Sequence, residues 1–488
     1  MGEKILISQL MESSGVKFGT SGARGKVIDL TPLVCYAYTS AFLRHSKSSD
    51  QLGSAGRVVF GGDLRPSTPQ ILRSIEQAVI DAELEPIYVG LIPSPAVALY
   101  GMEIDAPSIM VTGSHIPDDR NGVKFNTPSG EITKQDEMGI KSIELDLPDG
   151  QFAVTTLSTI QDVARKRYVT RLTEAFGSDA LKGLEVGVYE HTSVGRDLFV
   201  EILEGLGSSV TRRGRAEKFI PVDTEAIREE DVKFAHDWID EQKLDAIISS
   251  DGDADRPLIS DEQGNWLRGD ILGILVSQFL AADGIATPIS CNTAVEKCGF
   301  FKSVTRTKIG SPFVIEGMQA LAESGLDSVV GYEANGGYLT YTPVVLPTTG
   351  RVLSPLPTRD CMLPILCLLA LAKQRNGSIS KVVASLPERF TLSDRVKEMP
   401  TDVSKALIER LHEDTQFAAM FVRQSGNGIK STDTTDGFRM TLDNEDVIHI
   451  RPSGNAPECR CYVESDRLDK AEELLELGLA QIKAFYNK

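Results

Sequence analysis

Three aspartates at alternate positions, Asp251-Gly-Asp253-Ala-Asp255-Arg256, crowd like charges onto one short loop. Such an arrangement makes sense when a cation neutralises it, and oxygen-only ligands select a hard divalent ion, Mg²⁺ or Ca²⁺. An EF-hand is one competing reading, with the three aspartates at positions 1, 3 and 5 and Glu262 at position 12. It would need glycine where Arg256 stands and a helix where Leu244-Asp-Ala-Ile-Ile-Ser249 has the pattern of a buried strand. A solvated acidic loop is the other alternative.

A second stretch, Thr112-Gly-Ser114-His115-Ile-Pro117, puts one hydroxyl on a turn directly after the apolar run Pro107–Val111. Ser114 there is presented to a ligand, with the imidazole of His115 beside it. The chain continues into Asn121-Gly-Val-Lys124, where Lys124 begins the next strand-like piece and points back toward the serine. A lysine so placed neutralises a phosphate or moves a proton, unless it is an ordinary surface lysine.

Three further loops carry oxyanion or polyol chemistry. Lys17-Phe-Gly-Thr-Ser-Gly-Ala-Arg24-Gly offers backbone amides and one guanidinium to a phosphate, without the ending of a nucleotide P-loop. Arg451-Pro-Ser453-Gly454-Asn455-Ala-Pro-Glu-Cys-Arg460 is a second cradle, a tight turn flanked by two arginines. Gly331-Tyr-Glu333-Ala-Asn335-Gly-Gly337 presents an acceptor and an amide on small residues, which suits sugar hydroxyls; Lys308, in Thr307-Lys-Ile-Gly310, adds a contact. Taken singly, each also reads as an ordinary turn.

The elements that must position these loops alternate. Strand-like runs at Arg57–Asp63, Pro86–Val89 and Ser108–Val111 are interleaved with a helical stretch at Pro69–Glu83. The rhythm returns at Leu184–Tyr189, Asp197–Leu206, Asp231–Gln242 and Leu244–Ser249. It returns again at Asp270–Ala282, Pro288–Cys291, Ser328–Gly331 and the helix from Cys361. Repeated β-α-β units imply parallel or mixed sheets with helices on both faces, and ligands beyond the carboxyl ends of the strands. From about Arg389 the pattern becomes a smaller α+β domain. The expected division is 1–160 with the serine loop, 161–269 with the acidic loop, 270–388 with the sugar loop and 389–488 with the last cradle.

Composition bounds the function. The 488 residues hold 69 acidic and 51 basic side chains, a net charge of −18, which argues against nucleic acid or an anionic membrane as partner. No apolar run is long enough to span a bilayer and no signal peptide is visible. Seven scattered cysteines without a CxxC pair point to a reducing cytoplasm. Cys459 and Cys461 alternate along a strand and are expected on one face of it.

In this order, the five loops resemble those of the α-D-phosphohexomutase family, and the resemblance spans residues 18–460. It implies three successive α/β domains with mixed sheets plus a C-terminal α+β domain, arranged around a central cleft. By that resemblance Ser114 is a phosphoserine and, with Asp251, Asp253 and Asp255, a Mg²⁺ ligand. Arg24 and Lys124 assist phosphoryl and proton transfer, and His115 is an orienting neighbour of the catalytic serine. Arg256, Lys308, Glu333, Asn335, Arg451, Ser453, Gly454, Asn455 and Arg460 bind a phosphosugar. The implied reaction interconverts hexose 1-phosphate and hexose 6-phosphate, with hexose 1,6-bisphosphate as activator, in a monomer or dimer. Two loops depart from the family pattern: Ser453-Gly-Asn-Ala-Pro replaces Ser-Gly-Thr-Glu-Pro, and Gly337 stands where several branches have His. The Glu-Ala-Asn-Gly-Gly form most resembles phosphomannomutase branches. Glucose, dual-specificity and glucosamine branches are the alternatives, and a hydrolase passing the phosphoryl group to water, or a non-catalytic binding module, would be different classes.

Overall fold

The computed structural model describes residues 4–19, 22–148, 150–453 and 457–487, and three of its sheets repeat one plan. In the first, Arg57–Gly62 runs parallel to Glu85–Leu91 and Ser108–Val111, and Ser108–Val111 pairs antiparallel with Arg120–Thr127. In the second, Glu185–Tyr189 lies parallel between Ser209–Arg213 and Ala246–Ser250, which pairs antiparallel with Pro257–Ile259. In the third, Gly284–Pro288 lies parallel between Ser303–Thr307 and Val329–Tyr332, which pairs antiparallel with Tyr338–Thr340. Counted in chain order within each unit, the strands stand 2-1-3-4 all three times. The serine, acidic and sugar loops therefore occupy one topological position, the turn from the last parallel strand into the antiparallel one.

Local sequence explains the elements. The inner strands are continuous apolar runs, as strands covered on both faces must be: Val58, Val59 and Phe60, then Ala246, Ile247 and Ile248, are fully buried. Helices cross between the parallel strands, including Thr68–Asp81, Arg196–Gly205 and Ser311–Glu323. Helix Pro32–Ser48 starts at a Thr31 side chain that accepts the Val34 N–H, with Pro32 at its first position. The first sheet is widened by Gly22–Lys26 against Arg120–Thr127, and the third by Leu356–Asp360 against Tyr338–Thr340.

The fourth sheet is wholly antiparallel, in the spatial order Phe390–Lys397, Glu458–Ser465, Val447–Pro452, Phe438–Leu442, Ile429–Asp433. Helices Thr401–Glu413, Thr415–Val422 and Leu468–Tyr486 accompany it. Three α/β units and a C-terminal α+β unit bear out the expected fold class.

Burial separates the parts. One continuous apolar cluster runs through the first three units, from Val59 and Ile87 through Phe199 and Ile248 to Leu363 and Leu366. The fourth unit has its own core of Met440, Ile448, Cys461 and Ile482 among others. It meets the third unit through polar groups. Asn292 donates to the Arg389 carbonyl (2.8 Å) and to Thr391 (3.0 Å), the Thr293 N–H to Glu464 (2.9 Å), and the Ile309 N–H to Asp436 (3.0 Å).

Two placements differ from the sequence reading. The strand expected at Pro288–Cys291 lies at Gly284–Pro288: the Ile289 N–H makes the last bond to the neighbouring strand, at the Thr307 carbonyl (2.9 Å), and the chain then turns, the Cys291 N–H donating to the Pro288 carbonyl (3.0 Å). Lys124 sits in the middle of strand Arg120–Thr127 and does not begin it. All seven cysteines are free thiols; six are buried and Cys298 is half-buried. Cys459 and Cys461 face one side of their strand, as their alternation implies, both completely buried. Among the described residues no helix is long and apolar enough to cross a membrane.

Candidate active site

Ser114 has a left-handed backbone (φ 55°), a conformation that costs a non-glycine residue energy and must be held by its surroundings. Its N–H donates to Thr112 Oγ1 at 2.7 Å, and Thr112 in turn donates to the buried Asp63 (2.8 Å). Arg65 gathers the rest of the loop. Its guanidinium donates to the carbonyls of Ser114 (2.8 Å), Ile116 (2.5 Å), Pro117 (2.8 Å) and Arg120 (3.0 Å) while pairing with Asp63 at 3.1 Å. Residue 113 has to be glycine here, since a Cβ would lie 2.5 Å from the Arg65 Cζ.

The acidic loop comes to this serine from the second unit. Ser114 Oγ donates to Asp251 Oδ2 at 2.6 Å. The approach is close enough that a Cβ on Gly252 would stand 2.8 Å from the Ser114 carbonyl oxygen. From the first unit, Ser94 holds Asp253 through its N–H to the Asp253 carbonyl (2.9 Å) and its hydroxyl to Oδ2 (2.7 Å). Lys124 bridges Asp253 Oδ2 (2.5 Å) and Asp255 Oδ2 (2.6 Å). Arg256 lies alongside, 3.9 Å from Asp251 and 3.8 Å from Asp255.

Those contacts leave a donor set that suits a hard cation. Each carboxylate is held through one or both oxygens, yet Asp253 Oδ1 and Asp255 Oδ1 are buried without a hydrogen-bond partner. The candidate ligand atoms of the three aspartates lie within 4.8 Å of one another, and no other such His, Cys, Asp or Glu group exists among the described residues. The EF-hand alternative fails on geometry. The loop links two paired strands, and Glu262 turns away to accept the Ser380 N–H (3.2 Å).

Electrostatics follow from burial and crowding. Burial, joined by the charges of Asp253 and Asp255, holds the Asp251 carboxyl well above the usual carboxylate range. Burial would also raise Asp253, but the Lys124 ammonium more than reverses this and its acidity is increased. Burial disfavours a charged Lys124, and the two aspartates outweigh that, so Lys124 is held as an ammonium. Burial and the Arg256 charge lower Arg24 to about 10. His115 is pushed down to about 2 by burial and by the Arg256 and Arg24 charges. Its neutral ring lies with Nδ1 3.3 Å from Ser114 Oγ.

Arg24, Ser114, Lys124 and Arg256 line one cleft, together with Gly22 and Arg359. Glu333 reaches this group through Arg359, whose guanidinium donates to Glu333 Oε2 (3.3 Å) and Asp255 Oδ2 (3.0 Å). Asn335 is buried in the same loop, its side-chain oxygen accepting the Gly337 N–H at 2.9 Å. The remaining candidates form a second group. Arg451 and Arg460 stand opposite each other on paired strands, Arg451 donating to Asp436 (2.8 Å) and Arg460 to Glu458 (3.0 Å). The Ser453 N–H donates to the Glu458 carbonyl at 3.0 Å. Gly454 and Asn455 lie outside the described residues. Lys308 is exposed over the Phe313 ring, one residue from the Ile309 N–H that donates to Asp436. Asp436 therefore holds Arg451 and the Lys308 loop at once.

Arg65, Ser94 and Arg359 are the site-building residues that motif reading passes over. Arg65 was within reach of it, since Gly61-Gly-Asp-Leu-Arg65 closes the strand Arg57–Gly62 as the other loops close theirs. Ser94 and Arg359 have no local pattern; only folding brings them to the aspartates.

Family models described as phosphoglucomutase/phosphomannomutase alpha/beta/alpha domains I, II and III match residues 15–146, 166–264 and 268–390. A phosphomannomutase of Salmonella muenchen is 44% identical over 475 residues, covering 97% of each chain. One from Sinorhizobium fredii is 41% identical over 478 residues, covering 96% of this chain and 99% of the relative. A putative phosphomannomutase of Thermus thermophilus has the same fold, with a TM-score of 0.74 at 20% identity over 96% of this chain and 99% of the other.

Proposed function

The chain belongs to the phosphoglucomutase/phosphomannomutase family and is an isomerase of the phosphohexomutase type, and from that premise we propose that it interconverts mannose 1-phosphate and mannose 6-phosphate. The observation that carries the phosphoryl-transfer reading is the Ser114 hydroxyl, 2.6 Å from an aspartate of a buried triad that retains unpartnered oxygens. The mannose preference rests on the Glu333-Ala-Asn-Gly-Gly337 loop and on the names of the 41–44% identical relatives.

In this reading phospho-Ser114 gives its phosphoryl group to the 6-hydroxyl of the hexose 1-phosphate. The bond from Ser114 Oγ to phosphorus breaks as the bond from the sugar oxygen forms, and the hydroxyl proton is released. The resulting 1,6-bisphosphate turns over, the Ser114 hydroxyl takes the phosphoryl group from the oxygen on carbon 1 while that oxygen gains a proton, and hexose 6-phosphate leaves. Added hexose 1,6-bisphosphate loads Ser114 when it is not phosphorylated. Asp251, Asp253 and Asp255 would hold Mg²⁺, which supplies Lewis-acid polarisation of a phosphoryl oxygen. The chain's own contribution is positioning and charge neutralisation. Lys124, Arg24 and Arg256 face the transferring group as cations, and the neutral His115 ring orients the serine oxygen. Glu333 and Asn335 take sugar hydroxyls. Arg451, Ser453, Gly454, Asn455 and Arg460, with Lys308, grip the phosphate that is not reacting, which lets either orientation bind. Buried, reduced cysteines support a cytoplasmic setting.

Peptide mapping of the purified protein by mass spectrometry, after incubation with hexose 1,6-bisphosphate, should find one phosphoryl group on the Ser114 peptide. Parallel assays with mannose, glucose and glucosamine 1-phosphates should then favour mannose. A dominant rate on glucosamine 1-phosphate would overturn the mannose reading, and release of free phosphate without isomerisation would overturn the mutase reading.

A further inference from the structure

Arg359 was singled out neither by any motif nor by the reaction, yet it is buried between the two loops that handle the metal and the sugar. One guanidinium meets Asp255 Oδ2 at 3.0 Å and Glu333 Oε2 at 3.3 Å. The residues on either side of it are tied to the other two units. Thr358 donates to Glu131 of the first unit at 2.9 Å, and Asp360 accepts from Tyr168 of the second at 2.5 Å. The position of Arg359 is thus set by three units at once.

The sugar loop is shaped to let this side chain through. A Cβ at Gly337 would stand 2.6 Å from the Arg359 Cδ and 2.7 Å from its Cγ. Residue 337 is where several family branches carry His, and here the space a side chain would need holds the stem of Arg359, delivered from strand Leu356–Asp360. Glycine at 337 is what leaves that space open to Arg359 in this chain.

We propose that Arg359 is the positioning residue that sets the sugar-binding carboxylate Glu333 in register with the metal-binding carboxylate Asp255. This rests on the mutase reading for the roles of those two carboxylates. The guanidinium takes Glu333 Oε2 and leaves Oε1 to be aimed at a sugar hydroxyl. With Lys124 it occupies Asp255 Oδ2, while Oδ1 stays buried without a hydrogen-bond partner. A planar fork can hold both carboxylates in fixed orientation, whereas an ammonium is a point charge without that geometry. The consequence is that sugar recognition and metal affinity are coupled through one residue.

Arg359→Lys keeps the charge and loses the fork. Relative to the parent it should raise KM for mannose 1-phosphate and weaken Mg²⁺ binding, measured by calorimetry on the protein without substrate, each by about 10–100-fold. Glu333→Gln should raise KM comparably while leaving Mg²⁺ affinity within about 2-fold, and Arg359→Lys on that background should raise KM by less than about 3-fold more. Multiplying KM effects, or Mg²⁺ affinity equal in all the proteins, would overturn the proposal. Gly337→Ala is the second variant, displacing the Arg359 stem without removing a charge; unchanged KM and unchanged Mg²⁺ affinity in a folded Gly337→Ala protein would also overturn it. Thermal melting of each variant confirms folding. A parent protein that binds Mg²⁺ but isomerises no hexose phosphate would defeat the mutase reading alone, because the Mg²⁺ arm compares variants without turnover.

Discussion

The cleft around Ser114 and the cradle around Arg451 both gather cations for phosphate, but they are built differently. The first draws its groups from three units that share one apolar core, and its lysine and arginines are interlocked with buried carboxylates. The second stands on one antiparallel sheet with a core of its own, its two arginines each paired with a carboxylate of the same unit. A group that stabilises charge in a transition state has to be fixed before the reaction, since reorganising it then would cost rate. A group that holds a spectator phosphate in two orientations needs charge more than a fixed position. Loss of a group that faces the transferring phosphoryl, such as Ser114 or Lys124, should therefore appear in kcat and loss of a cradle arginine in KM, whereas Arg359, which lines the first cleft but positions the sugar-binding Glu333, is expected in KM.

The largest effect that would break this comparison is expected from Ser114→Ala. Loss of the phosphoryl carrier should reduce kcat by roughly 10⁴-fold or more. A residual rate within tenfold of the parent in a coupled isomerase assay would mean that the cleft does not work through this oxygen.

Lys124→Met comes next. It leaves Asp253 and Asp255 buried beside Asp251 without their shared ammonium, so kcat should fall by about 10²–10³-fold. Urea unfolding without metal should show a loss of about 3–5 kcal/mol, partly restored by Mg²⁺. Unchanged stability would show that the interlocked charges are not what holds the cleft.

Arg451→Gln sharpens the contrast from the other side. Losing a charge-assisted phosphate contact should raise KM by about 10–100-fold with kcat within about 3-fold. A pure kcat effect would move Arg451 into the same class as Lys124.

The smallest effect concerns acid. Burial, partly opposed by the bond to the Asp436 carbonyl, lowers His449 to about 4 from its ordinary 6.5. The folded form holds this ring neutral, so its contribution is complete above pH 6.5 and is lost as the unfolded chain takes up the proton between pH 6.5 and 4. At pH 5 the loss is about 2 kcal/mol for a shift of this size. His449→Asn should flatten that part of the stability profile in urea titrations at pH 5 and 8. A variant with the same acid slope as the parent would assign the sensitivity elsewhere, His191 being the other buried ring lowered to about 4.

Much of this site was legible before the structure, for a physical reason. Crowded carboxylates, a serine after an apolar strand and a Gly-rich arginine loop are local patterns that suggest charge chemistry, though each also has an ordinary reading and only their order along the chain resembles one family. The three-unit rhythm was legible too, because strands buried on both faces read as apolar runs. That each unit has the strand order 2-1-3-4 was not, since pairing order leaves no mark on composition. Arg65 and Arg359 act on partners about 50 and 104 residues away, Arg65 on the Ser114 loop and Arg359 on Asp255, so no window along the chain contains the interaction. The misplaced strand at Pro288 has a different origin: Ile289 and Cys291 read as strand residues, but the chain turns there, the Cys291 N–H bonding back to the Pro288 carbonyl.

The free cysteines have a consequence of their own. Burial raises the thiols of Cys35 and Cys459 to about 12, and those of Cys291 and Cys461 higher still, so none of these four is a ready nucleophile in the folded protein. Cys298, half-buried, is the one a mild alkylating reagent meets first. Cys35 reports on the first unit, Cys291, Cys361 and Cys367 on the third, and Cys459 and Cys461 on the fourth; the second has none. Alkylation followed by peptide mass spectrometry would thus time-stamp the opening of the first, third and fourth units in an unmodified chain, and tell whether the cradle breathes before the cleft does.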